Sequence, residues 1–381
     1  MQPLDFTEDK AGRLIRAPEG YWAFAPDPLP PPIRWTPNLV RRLAEAERAL
    51  GRLDVVGWTL PNPHLLIDPF VRREAVLSSR IEGTEASLSD LFLFEAKPST
   101  EDEVPDVREV GNYVRALNYG LERLSNLPLS LRLFREIHER LMAGVRGDQM
   151  TPGEFRRTQN WIGPPGCTLN EATFVPPPVH EMKECLGQLE THLRASDELP
   201  PLVRLGLVHY QFEAIHPFLD GNGRLGRLII TMLLCAGKLL SQPLLYLSSF
   251  FEKHRDAYYH RLLRVSLAGE WEAWLSFFLE GVAEQAADGV ERADRLLSLR
   301  QGYHDKLQTV RASALPIKLV DALFSSPIVS APHAARLLDV TPASARASIN
   351  KLIKTGILEE ITGRARNRMY VAKEILDTVS D

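Results

Sequence analysis

Apolar residues return every three or four positions along most of the chain, and the runs break at proline, glycine and short polar clusters, the pattern of a mainly helical protein. Segment 21–36 is too rich in proline for a helix and predicts an ordered extended arm. Helical periodicity follows from Leu39 to Phe94. Within it Asp68 before Pro69 predicts a helix start that places Phe70, Leu77 and Ile81 on one face. Ser130 predicts another start, with Leu131, Phe134, Ile137 and Leu141 recurring behind it. Between Thr151 and Pro178 glycine and proline punctuate two short β-prone runs around Trp161 and Phe174, which predicts a hairpin on a loop.

Leu202, Leu205, Phe212 and Ile215 mark an amphipathic helix that runs into a polar, glycine-rich turn, and a greasy helix from Gly226 to Gly237 leads out of it. Trp271, Trp274, Leu275, Phe278 and Val282 form a core stripe continuing into a charged helix near Arg292 to Gln301. From Ser313 the pattern shortens. Three short helices carry Ile317, Val320 and Leu323, then Ala335 and Leu338, then Ala345, Ile349 and Leu352; Gly356 ends the third, and two β-prone runs flank a loop at Gly363. That order is a winged helix-turn-helix.

At 381 residues two or three folding units are expected. A net charge of -4 with 25% charged residues excludes a global bias toward nucleic acid or membrane, so a basic patch has to be local. Cys167, Cys185 and Cys235 are scattered and lack metal or redox spacing, which fits a reducing cytoplasm. The first twenty residues have no secretory hydrophobic region, and the apolar run Leu228–Gly237 is too short to span a bilayer.

The candidate chemistry sits in EAIHPFLDGNGRLGR, Glu213 to Arg227. A glycine-rich turn before a helix exposes backbone amides to an anion at the positive end of the helix dipole. Gly221 and Gly223 admit a phosphate, Asn222 between them tolerates left-handed backbone and can donate, and Arg224 and Arg227 add charge. Asp220 beside phosphates implies a bridging Mg2+, and His216, titrating near neutrality, is suited to take a proton from an attacking hydroxyl. A histidine before proline is often only structural, and one glycine turn is weak evidence, yet a helix cap requires one or two such residues and not eight.

HPFLDGNGRLGR resembles the signature of the Fic family, and every fixed position from His216 to Arg227 is matched. The resemblance implies a mainly α fold: a helical amino-terminal extension with the proline-rich arm over residues 1–105, a Fic-type core with a β-hairpin flap over 106–285, a linker helix over 286–312 and a winged helix over 313–381. It implies a protein adenylyltransferase that moves AMP from ATP to a Ser, Thr or Tyr hydroxyl of a target protein. Carried over by position, His216 is the base, Asp220 the Mg2+ ligand, and Gly221, Asn222, Gly223, Arg224, Leu225, Gly226 and Arg227 the phosphate-binding run. Arg227 would hold the γ-phosphate. The flap would register an extended target segment by backbone pairing. Tyr246, His254 and Tyr258 lie where such proteins hold adenine, and of these His254 is the nucleotide-binding candidate. Self-modification and a homodimer stay open.

SSRIEG, Ser78 to Gly83, resembles the inhibitory motif of the same family at Ser78, Glu82 and Gly83. If Glu82 pairs with Arg227, the guanidinium that should grip the γ-phosphate is taken. Two alternatives remain: removal of AMP, with Glu82 positioning water, and a transcription regulator binding DNA through residues 313–381. For the latter, Arg346, Lys351 and Lys354 fall on the expected recognition helix and Arg364, Arg366 and Arg368 on the wing, although this module carries only a slight excess of positive charge.

Overall fold

The computed structural model describes residues 2–59, 63–97, 105–195, 198–310, 312–364 and 366–380. A hairpin missed by the helical pattern opens the chain: β1 (Gly12–Arg16) pairs antiparallel with β2 (Trp22–Pro26), Leu14 opposite Phe24. The arm therefore begins as the extended strand β2, and residues 27–36 beyond it carry no helix or strand. Phe24 is fully buried against Phe6 and Phe174, and its N–H donates to Val175 O at 2.9 Å, which ties the hairpin to the loop over the site.

The helices of the amino-terminal half are α1 (Pro37–Thr59), α2 (His64–Ile81), α3 (Leu88–Ala96), α4 (Pro105–Arg123) and α5 (Leu131–Leu141). Ser130 caps α5 by accepting from Leu133 N–H, as its sequence position predicts, a contact worth about 1 kcal/mol. The start expected at Asp68 and Pro69 is corrected: α2 begins at His64 after Pro63, and Pro69 lies inside the helix. Leu65, Leu66, Phe70 and Val71 are all buried, and that burial outweighs the single helical hydrogen bond Pro69 cannot donate.

Helices α6 (Val179–Arg194), α7 (Pro201–Ile215), α8 (Asn222–Ala236), α9 (Ser248–Lys253) and α10 (Arg255–Ala268) complete the core. The exit helix thus starts four residues before Gly226. Gly221, at φ +77°, finishes the turn in left-handed backbone that favours glycine, so Asn222 already lies in the first helical turn. The loop 151–178 makes one antiparallel bridge, Ile162 with Phe174, through two hydrogen bonds of 2.8 and 3.0 Å in place of extended hairpin strands. Its prolines and the capped 3-10 turn at Leu169–Glu171 stop further pairing.

The tryptophan stripe and the charged helix merge into α11 (Trp271–Thr309), which packs along α1 and carries the chain out of the core. Beyond it come α12 (Ala314–Ser325), β3 (Ile328–Ser330), α13 (Ala331–Leu338), α14 (Pro342–Lys354), β4 (Glu359–Glu360), β5 (Met369–Val371) and α15 (Lys373–Ser380), with the antiparallel sheet ordered β3-β5-β4. This is the expected order of three helices and a hairpin, with one further strand, β3, and a closing helix, α15. The module docks on the rest: α12 and α15 pack on α2, Ser330 Oγ donates to Ala96 O at 3.0 Å, and Arg292 Nη1 donates to Thr378 O at 2.8 Å. Among the described residues no helix is long and apolar enough to cross a membrane.

Candidate active site

The turn between α7 and α8 is built from its backbone outward. His216 caps α7 at φ +48°, a left-handed conformation that is strained for a side chain with a Cβ. What holds it there is Arg156, 1% exposed, whose Nε donates to His216 O at 3.0 Å and whose own N–H donates to Pro217 O at 2.9 Å. Asn160 adds hydrogen bonds to His216 O and Phe218 O, at 3.2 and 2.8 Å. Asn222 staples the turn from within: its Oδ1 accepts from Phe218 N–H and its Nδ2 donates to Phe218 O, both at 2.8 Å. The amide that the sequence offers to phosphate is therefore committed to the loop.

A second histidine supports the turn from below. His138 Nδ1 accepts from Gly153 N–H at 2.9 Å, so the proton sits on Nε2, which donates to Asp220 O at 2.9 Å. Its ring stacks on Phe218 at 3.8 Å, and burial, with the Arg224 charge, lowers its pKa to about 4. The Asp220 side chain is 39% exposed; Oδ1 accepts from Gly221 N–H at 2.6 Å. Among the described residues no group of three or more His, Cys, Asp or Glu gathers as a metal centre. One half-exposed carboxylate suits a Mg2+ held otherwise by phosphate and water.

The imidazole of His216 is fixed in one tautomer by its own helix. Its Nδ1 lies 3.2 Å from Glu213 O, an acceptor, so Nδ1 carries the proton and Nε2 keeps its lone pair. Burial lowers its pKa to about 4, leaving the ring neutral at physiological pH. Glu213 itself turns its carboxylate onto Gly226, where a Cβ would overlap Oε1, and that oxygen is buried without a hydrogen-bond partner. Burial pushes the Glu213 carboxyl up to about 8, opposed by Arg227.

The two motif arginines differ in their surroundings. Arg224 is 2% exposed, pairs with the buried Glu109 through Nη1, and approaches Asp220 Oδ1 at 3.7 Å. Arg227 points to α2: Nε donates to Ser78 Oγ and Nη2 to Ser78 O, each at 2.9 Å, and Nη2 pairs with Glu82 Oε1 at 2.7 Å. The Glu82 carboxylate lies against the first turn of α8, where a Cβ on Gly223 would overlap it. Burial raises the Glu82 carboxyl, but the Arg227 charge and hydrogen bond, with Arg224 and His216, outweigh this and hold it below the usual carboxylate range. Arg227 Nη1 remains buried without a partner. A carboxylate of the protein itself thus lies on Arg227 at the first turn of α8, and a guanidinium nitrogen beside it is still unused.

Glu82 closes α2, and Gly83 follows at φ +95°, so the chain turns away directly after the carboxylate. Leu225 is buried in the core and Gly226 O accepts from His209 Nδ1 at 3.2 Å. The adenine candidates part company. Tyr246 donates to Pro243 O, and Tyr258 is 1% exposed with its hydroxyl on His209 Nε2 at 2.8 Å. His254 joins α9 to α10 with its ring against Phe250 and Phe277. Tyr259, half exposed and electrostatically coupled to Glu82 and Arg227, was not singled out by the sequence pattern. Nor were Arg156, Glu109 and His138; the last falls on the buried face with Phe134 and Leu141, and a polar residue at an apolar position is the signal that could have found it.

Comparison with known proteins gives the family of the chain. A Fic/DOC family N-terminal model matches residues 40–122, a Fic/DOC family model matches 128–234, and a helix-turn-helix DNA-binding domain model matches 315–370. The chain belongs to the Fic/DOC family and carries an additional C-terminal helix-turn-helix domain. It is 29% identical over 160 residues to a protein adenylyltransferase Fic of Drosophila grimshawi, covering 41% of this chain and 29% of that one. With the protein of the same name in Culex quinquefasciatus it shares 28% over 260 residues, 64% of this chain and 48% of the other. The chain thus spans less than half the length of these relatives. A Fic family protein from Desulfovibrio desulfuricans has the same fold at TM-score 0.57 and 21% identity, covering 90% of this chain and 98% of that one. Fic-1 from C. elegans matches at TM-score 0.51 and 19% identity, over 68% and 72% of the two chains.

Proposed function

We propose that the chain is a protein adenylyltransferase restrained by its own Glu82, transferring AMP to a hydroxyl side chain of a target protein in the cytoplasm. The observation that carries the reading is the placement of Glu82: the site holds a carboxylate on Arg227 at the amino terminus of α8, with the free Nε2 of a neutral His216 at the same turn. An arginine buried to 1% exposure is an expensive feature unless an anion meets it, and α8 presents it together with first-turn amides.

ATP with Mg2+, when bound, would supply the AMP group and leave pyrophosphate. Within the chain, Arg227 and the first-turn amides of α8 would hold the outer phosphates, and Asp220 would offer its carboxylate to the cation. His216 Nε2 would take the proton of the target hydroxyl as its oxygen bonds to the α-phosphorus. Neutrality of His216 supports this role, because a protonated ring has no lone pair to offer. Arg156 and Asn160 keep the ring at the turn through its backbone. Glu82 opposes the reaction by holding the guanidinium that the γ-phosphate requires.

The test is mass spectrometry of host lysate incubated with Glu82→Gly protein, ATP and magnesium, with His216→Ala in the same background as the blank. An AMP adduct on specific Ser, Thr or Tyr residues of lysate proteins or of the chain itself, absent from the blank, is expected. No adduct in either sample refutes the reading. Release of AMP from a modified protein by the unaltered chain, lost on changing Glu82, would favour removal over transfer.

The match to a DNA-binding helix-turn-helix supports a second role for the C-terminal module, compatible with the first. Arg346, Lys354, Arg364, Arg366 and Arg368 are all exposed on α14 and the wing. Binding of the full chain to duplex DNA should weaken as salt rises, and should weaken further in Arg346→Ala with Lys354→Ala. Salt-insensitive binding, or none, rejects this role.

A further inference from the structure

Helix α2 carries Glu74, Ser78 and Glu82 at intervals of four, and all three meet partners on the catalytic side. Ser78 and Glu82 contact Arg227 directly. Glu74 does not, and the site described above gives it no task. It is 2% exposed, yet its carboxylate is fully engaged: Oε1 accepts from Ser248 Oγ at 2.5 Å and from Tyr113 Oη at 3.1 Å, and Oε2 accepts from Ser248 N–H at 3.2 Å. Tyr113 belongs to α4 and Ser248 opens α9, so one carboxylate joins three helices.

We infer that Glu74 is the positioning residue of the restraint: by fixing α2 against α4 and α9, it sets the register that delivers Ser78 and Glu82 to Arg227. This rests on the adenylyl-transfer reading. A buried carboxylate without a cation in direct contact is a poor way to gain stability, since an apolar side chain of similar volume would pack there without desolvating a charge. What it provides is directional: three donors from two helices accept only one axial and rotational setting of α2. One turn onward that setting places the Ser78 hydroxyl on Arg227 Nε and the Ser78 carbonyl on Nη2; two turns onward it places Glu82 on the same guanidinium. Burial raises the Glu74 carboxyl to about 7, against the Ser248 and Tyr113 hydrogen bonds and the Arg227 charge, a mark of the desolvation retained at this position.

Glutamine keeps the volume of Glu74 but replaces one of its two acceptor oxygens by an NH2, so the Ser248 and Tyr113 donors can no longer all be met as they stand, and Glu74→Gln weakens the junction without opening a cavity. The experiment measures incorporation of labelled AMP by the full chain, with ATP and magnesium, for the unaltered protein, Glu74→Gln, Glu82→Gly and the double variant, each with its melting temperature. Glu74→Gln is expected to raise the restrained rate about tenfold, the factor carried by one lost charge-assisted hydrogen bond, and to leave the Glu82→Gly rate unchanged. Tyr113→Phe and Ser248→Ala, which each delete one donor with the carboxylate in place, should raise the restrained rate in the same direction, and they serve if Glu74→Gln fails to fold. An unchanged restrained rate in these folded variants, or an equal effect with and without Glu82, overturns the inference while Glu82→Gly stays active. A silent Glu82→Gly instead overturns the functional reading on which it rests.

Discussion

Replacing Glu82 by glutamine removes a charge while keeping an oxygen within reach of Arg227. The pair spans 2.7 Å, with the guanidinium 1% and the carboxylate 32% exposed. A hydrogen bond to a charged group contributes about 1.5 to 3 kcal/mol, and the water reaching one third of the Glu82 side chain favours the low end. At about 1.4 kcal/mol per tenfold, loss of the charge alone should raise AMP incorporation about tenfold. Removal of the whole side chain should raise it about ten- to a hundredfold. Glu82→Ala and Glu82→Gly should agree, because Glu82 has φ -88° and alanine fits that backbone without strain. Incorporation of labelled AMP at saturating ATP and magnesium, with ATP affinity from calorimetry, separates release of the guanidinium from a change in binding. Activation by glycine alone would mean that slack next to Gly83 matters and not the carboxylate. The pH sense follows from the lowered Glu82 carboxyl. Its contribution is complete above the ordinary carboxylate range and is lost only as pH falls through the lower folded value, so the restrained rate should not rise between pH 8 and pH 5.

Gly223→Ala should give a protein that is unrestrained and inactive, since the added Cβ displaces the Glu82 carboxylate, a flexible end, but fills the cradle and stands 3.0 Å from Arg227 Nη1; ATP uptake by calorimetry should be lost. His138→Phe keeps the stack on Phe218 but strands Asp220 O and Gly153 N–H, and urea titration should find a loss of about 2 to 4 kcal/mol. Glu213→Gln should gain in melting temperature over the unaltered chain as pH rises from 5 to 9. A carboxyl raised to about 8 in the folded state loses stability as pH climbs from its ordinary value through the folded one, and the amide does not titrate; a pH-independent difference would refute the burial argument.

Local order was legible where one rule decided the outcome. Ser130 before an apolar stripe capped α5 as read, and Gly356 ends α14 at φ +70°. The motif turn was legible because its residues are contiguous, and the Glu82 to Arg227 pairing because a resemblance linked two segments 145 positions apart. What escaped depended on distant partners. Pro69 reads as a helix start by local preference, yet packing of Leu65 and Leu66 carries α2 past it. Asn222 reads as a donor to ligand until Phe218 closes on both ends of its amide. Arg156 looks like any surface arginine in a loop; only the fold brings the His216 carbonyl to it. The β1 and β2 strands escaped because so short a hairpin is held by Phe6, Phe174 and Val175 more than by its own turn.

The position of Glu82 has a consequence for stability as well as rate. Arg227 is buried under α2, and its raised pKa, favoured by Glu82 against the burial, keeps it charged. In the absence of ligand the neighbouring carboxylates are its counter-ions, with Glu82 the one in direct contact. Glu213 is held mostly protonated near neutrality and the Glu74 carboxylate is committed to Tyr113 and Ser248, so neither replaces it. Deleting Glu82 therefore strands a guanidinium that already has one unpartnered nitrogen, and the nucleotide-free variant should melt below the unaltered chain. Ligand that supplies the missing anion should then recover more than the loss, since binding stabilises by RT ln(1 + [L]/Kd) and the emptied cradle binds tighter. The expected result of a thermal-shift titration with ATP and magnesium is a larger upward shift in Glu82→Gly than in the unaltered protein, reversing their order at saturation. Equal shifts in the two proteins would mean that Glu82 and the nucleotide do not compete for Arg227, and the carboxylate would have to restrain the enzyme by some other contact.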